Sequence, residues 1–177
     1  MIAEFTRDAA ATAAVFGFFA ASWFGWAQDK PPGGWQGWLI AGSILSLLVA
    51  VAGGFFTWQH WSTGTAFTPQ TGRTFGLIVG IEFALAGIGA GVLAALGKPA
   101  FIPVWIAFIV GVHLFPLAPL LKYPLLYLPA AMVTFVALIA IPLARAQSVA
   151  ASAVTGAGTG IVLVAVALFS LVTVLVL

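Results

Sequence analysis

Runs of eighteen or more residues without a formal charge recur from Ala9 onward. At about 1.5 Å per residue, a helix of that length crosses the ~30 Å hydrocarbon core of a bilayer. Inside that core every backbone N–H and C=O must be bonded within the protein, which leaves helices and closed barrels. Barrel strands alternate polar and apolar residues; these runs are apolar all round. The fold expected is therefore all-α: one domain, a polytopic transmembrane bundle of six helices.

Composition agrees. The chain is 63% hydrophobic and 6% charged, against about 25% charged in an ordinary soluble domain. Six basic and four acidic residues cannot clothe a water-facing surface, and with no basic cluster among them nucleic acid is not an expected partner. The lack of cysteine excludes disulfides, thiolate catalysis and cysteine-held clusters. No cleavable signal peptide is expected, because Glu4, Arg7 and Asp8 do not make a basic leader.

The spans expected are about 9–26, 38–58, 75–96, 101–121, 125–144 and 155–177, with small residues from 150 onward allowing an earlier start to the last. DKPPGG (29–34), QHWSTGTAFTPQTGR (59–73), GKP (97–99), KYP (122–124) and RAQS (145–148) separate them by charge, proline and glycine. With the N-terminus on side A, that side holds Arg7, Arg73 and Lys122, and side B holds Lys30, Lys98 and Arg145. The two sides are tied, so the positive-inside rule does not fix the orientation. A cytoplasmic side A is expected only because a short N-terminus retained inside needs no translocation. Trp23, Trp26, Trp35, Trp38 and Trp105 read as interfacial anchors of side B, and Trp58, Trp61, Tyr123 and Tyr127 as those of side A. Helices in lipid associate through small residues. Gly76, Gly80, Ala84, Gly87, Gly91 and Ala95 share one face of the third span, and Ser152, Gly156 and Gly160 enter the sixth; both rows read as helix contacts.

One acid, Glu82, and one histidine, His113, lie well inside spans. A charge at a helix centre costs about 2.5–3.5 kcal/mol on insertion scales, so such groups face the bundle interior and find partners. Glu82 is about 10 Å below the side-A edge and His113 about 12 Å below it, on consecutive antiparallel helices, so the two can meet. Pro116 and Pro119 are expected to kink the fourth helix, freeing the carbonyls of Val112 and Phe115. Thr134 and Ser170 fall at comparable depth. A polar layer of Glu82, His113, Thr134 and Ser170, with Arg73 at its side-A mouth, is the candidate ligand or proton site. Its plainer alternative is a hydrogen-bonded Glu82–His113 pair that fixes helix register. His60, in the loop, reads as interfacial. Two histidines without cysteine are too few for a structural zinc site, and the two differ too much in depth to bridge a haem; no metal or cofactor is expected.

The stretch from Arg73 through Glu82 to FIPVWIAFIVGVHLFPLAPL (101–120) resembles a family of small, uncharacterised bacterial integral membrane proteins. These show a glutamate in one span and a GxHxxPLA-type motif in the next. Pro119 stands where a polar residue would be expected. The resemblance implies a fold class and a bacterial cytoplasmic membrane, and no chemistry. Three functions stay open. The first is binding or translocation of a small solute or proton. The second is an enzyme acting on an apolar or lipid-like substrate, with Glu82 or His113 as acid or base. The third is an accessory subunit with no site. The partners expected are the lipid bilayer and a small-molecule or lipid-like ligand, with a homo-oligomer left open.

Overall fold

The computed structural model describes residues 3–176. Six long helices follow one another: α1 (Thr6–Ala27), α2 (Gln36–Gln59), α3 (Pro69–Ala95), α4 (Ile102–Leu120), α5 (Tyr127–Gln147) and α6 (Ala151–Val176). Each is long and apolar enough to cross a membrane, and there is no strand among the described residues. Single 3-10 turns at Pro99–Phe101 and Pro124–Leu126 lead into α4 and α5.

The largest departure from the expected spans is at α3, which starts six residues early, inside the polar stretch. Thr68 accepts from Thr71 N–H at 3.1 Å, and Pro69 occupies the first turn, where its missing N–H costs nothing. α6 starts at Ala151; Leu177 of the expected last span lies outside the described residues. Helices α3, α4 and α5 end in the same motif, a left-handed residue followed by an N–H bonded five residues back. The left-handed residues are Gly97, Lys122 and Ser148, and the bonds are Lys98 to Leu93, Tyr123 to Ala118 and Val149 to Ala144. That closure makes GKP and KYP tight turns, so α3, α4 and α5 lie side by side.

α6 is the centre of the bundle, packed on α1 and α5 and also touching α2 and α4. The α1 face against it is alanine-rich, with Ala9, Ala13, Ala20 and Ala27 buried. Gly156 meets the backbone at Trp23 and Ala27, so the expected small-residue row of α6 does make a helix contact. Gly17 and Gly53 bring α1 and α2 to backbone contact, with no room for a methyl at either position. Two anchor assignments are corrected. Trp23 is buried, stacked on Trp26, and Tyr123 is buried under the side-A ends of the helices.

α3 stands at the edge. It packs on α4 and the turn before it, has no buried residue, and does not pack along α1. Its small-residue face, expected to be a helix contact, points outward. Gly76, Gly80, Ala84, Gly87, Gly91 and Ala95 are exposed, and the four glycines have open space beside them. The opposite face holds α3 in place. Gly89 is filled by the Trp105 ring, whose Nε1–H donates to the Leu85 carbonyl at 3.0 Å. Glu82 lies on that inward side too.

Candidate functional site

Because α3 packs on α4 and not along α1, a cleft of about 520 Å³ remains between α1, α3 and α4 in the side-A half of the bundle. α1 contributes Val15, Phe16 and Phe19, α3 Phe75, Val79 and Phe83, and α4 Val110, Leu114 and Leu117. Trp23, Val110 and Leu163 of α6 form its deep end. Val15, Phe19 and Phe83 are 49%, 44% and 64% exposed, so the gap between α1 and α3 opens sideways, where a bilayer would lie.

Glu82 and His113 face each other in this cleft, with Nε2 3.3 Å from Oε2 and both side chains about six-sevenths covered, at 13% and 15% exposure. The separation exceeds the 2.7–2.9 Å of a tight charge-assisted bond, so it is a close contact without strong aim. His113 Nδ1 is buried without an aimed partner among the described residues, beside the Ile109 and Val110 carbonyls of its own helix. Carbonyls only accept, which favours the proton on Nδ1 and leaves the Nε2 lone pair toward Glu82. The pair can then hold one proton on Oε2 as two neutral groups, or on Nε2 as an ion pair. Two ions out of water cost several kcal/mol each before their attraction repays it. A ligand that solvates one form therefore selects where the proton sits. The cleft's Thr12 and Thr57 hydroxyls are spent on the Asp8 and Gly53 carbonyls, so below the rim this pair is its chemistry.

The rim is built from the ends of α1 and the loop before α3. Asp8 accepts from Thr65 Oγ1 at 2.6 Å and from Ala66 N–H at 2.7 Å. Arg7 donates to the Trp61 carbonyl at 3.0 Å and lies over the Trp61 ring. These contacts draw residues 61–67 over the side-A end of the cleft. Sequence reasoning assigned Arg7 and Asp8 no site role. Their signal was two opposite charges immediately before an apolar span.

The other expected residues do not join the pair. Thr134 donates to Ala130 and packs on Gly111, which projects from α4 about 200° away from His113. Ser170 is buried and bonded to Tyr123 Oη at 2.9 Å. Burial pushes the Tyr123 phenol above its ordinary value, and the Ser170 bond partly offsets this. Arg73 is exposed and does not line the cleft; Arg7 holds the mouth instead. α4 stays helical through Pro116 and Pro119, and neither proline lines the cleft. The carbonyls they free belong to Val112 and Phe115, which do not line it either. The polar layer thus reduces to Glu82 and His113 under a rim of Arg7 and Asp8. No group of three or more potential metal ligands occurs among the described residues.

No protein-family model, no curated protein and no solved structure matches this chain.

Proposed function

We propose that this chain binds a small amphipathic, lipid-like molecule in the cleft, admitted sideways between α1 and α3, with its polar group against Glu82 and His113. The carrying observation is the pairing of one acid and one base in an aromatic-lined intramembrane cleft of about 520 Å³, within the ~300–1,000 Å³ common for ligand sites. A scaffold would have a dry, packed centre. The proton shared between Oε2 and Nε2 equips the same site for acid–base chemistry on the bound molecule. We further place the chain in a bacterial cytoplasmic membrane, following the family resemblance.

Translocation of a solute or proton is the second reading, favoured by the polar rim of Arg7, Asp8 and Thr65 between the pair and side A. It requires a second opening toward side B, beyond Trp23 and Leu163.

The test is extraction of the protein in nanodiscs, followed by mass spectrometry of what co-purifies. A bound molecule should be present in the parent chain and depleted in Val15→Trp, which narrows the lateral gap. An unchanged lipid complement in Val15→Trp would sink the binding reading. Unchanged proton flux in liposomes for both Glu82→Gln and His113→Ala would sink translocation.

A further inference from the structure

A second concavity shares no residue with the cleft. It lies on the outer side of α4 in the side-B half, walled by Leu93 of α3, Trp105 and Phe108 of α4, and Leu138 and Ile141 of α5. Its volume is also about 520 Å³, and it is shallow and open to the side. Lys98, in the α3–α4 turn, and Arg145, in the last turn of α5, line it as well. Both are exposed, and both belong to helix ends on side B.

Neither cation is in an ion pair among the described residues, where the pairs are Glu82–His113 and Glu4–Lys122. Of the four acids, Glu4 and Asp8 are engaged on side A and Glu82 is in the cleft. Asp29 is the one acid on side B. Cations near helix C-termini gain from the macrodipole, but carbonyls in the last turns of α3 and α5 already accept from Lys98 N–H and Val149 N–H. The two cations instead crown a continuous apolar groove. Trp105, pinned by its bond to Leu85, gives that groove a rigid wall.

We propose that this groove holds one anionic phospholipid, its phosphate between Lys98 and Arg145 and an acyl chain along Trp105 and Leu138. Headgroup charge supplies the selectivity, because basic pockets between transmembrane helices favour anionic over zwitterionic headgroups. The guanidinium of Arg145 can engage two phosphate oxygens at once, while Lys98 acts as a point charge.

The test is native mass spectrometry of the full chain from nanodiscs of equal phosphatidylglycerol and phosphatidylcholine. The parent chain should retain phosphatidylglycerol in preference to phosphatidylcholine. Lys98→Gln and Arg145→Gln should each reduce that preference about fivefold, and the double variant should abolish it. Lys98→Arg should keep it, and Lys30→Gln, a side-B cation away from the groove, should leave it unchanged. Leu138→Trp, which fills the groove and leaves both charges, should lower retention of both lipids. Equal retention of the two lipids by the parent chain, or a preference that survives the double variant, would overturn the proposal. So would competition by free glycerol phosphate as effective as that by the lipid, which would mark a site for soluble phosphate.

Discussion

At the scale of single residues, depth was legible and rotation was not. Counting along two spans placed Glu82 and His113 at one level, and they meet because the turn between α3 and α4 is tight. Thr134 and Ser170 were placed by depth as well, but each projects elsewhere and is satisfied there. A hydroxyl bonds a carbonyl one turn back as readily as a partner across the bundle, so span position says little about its target. The Tyr123–Ser170 bond makes this measurable. Tyr123→Phe and Ser170→Ala should each cost about 1–3 kcal/mol, since each strands a buried hydroxyl. The double variant should cost less than the sum of the two, as a double-mutant cycle of unfolding in micelles would show. The same phenol predicts a pH dependence. Its folded-state value is raised from 10.0, so the proton is held more tightly folded than unfolded. Its contribution to stability is therefore full below about pH 10 and is lost as pH rises from there toward the folded-state value, because only the unfolded chain ionises there and ionisation draws the equilibrium toward it. Below about pH 10 both states keep the proton, so the phenol adds no pH dependence there. Tyr123→Phe should lack the phenol's component, read as the difference between the two chains' unfolding free energies against pH.

At the scale of elements, the six helices followed from hydropathy because in lipid a long uncharged stretch has no other way to satisfy its backbone. Their ends were less legible, because caps overrule polarity: Thr68 and Pro69 start α3 inside a stretch polar enough to read as loop. The rotation of α3 was misjudged for a related reason. Its longest row of small residues invited a helix, but one tryptophan settled the matter by filling the notch at Gly89 on the other face. Gly89→Ala should therefore overpack the α3–α4 contact, displace Trp105 and cost about 1–3 kcal/mol. Gly87→Ala, on the open face, should be neutral or stabilising by up to about 1 kcal/mol, because alanine is the better helix former. Equal effects of the two substitutions on unfolding in micelles would show that the rotation of α3 is wrong. Ser148 offers a complementary check. It holds a left-handed conformation at φ 55°, which costs an L-residue about 1–2 kcal/mol and glycine very little. Ser148→Gly should thus raise stability.

At the scale of the whole molecule, the bundle is tight around α6 and loose at α3, and the candidate site lies where it is loose. No sequence pattern announced a gap between α1 and α3. A gap is a property of three helices together, whereas periodicity describes one at a time. The closure of its side-A end is held by Arg7 on Trp61 and by one carboxylate, that of Asp8. Asp8 receives two hydrogen bonds from the segment that precedes α3, so the loop over the rim is tied to the first turn of α1. Asp8→Ala removes both acceptors and leaves the Ala66 N–H and the Thr65 hydroxyl without them. Asp8→Asn keeps one acceptor oxygen and exchanges the other for a donor that cannot receive the second bond. Hydrogen exchange over residues 61–67 should accelerate in the order parent, Asn, Ala. Protection deep in the α1–α6 interface, around Ala20 and Ala27, should be unchanged. If the cleft holds a ligand that enters through lipid, its release should respond little to Asp8→Ala and strongly to Val15→Trp. If the route runs through the rim, the two responses exchange places. The ratio of release rates in these two variants therefore separates lateral entry from passage through side A.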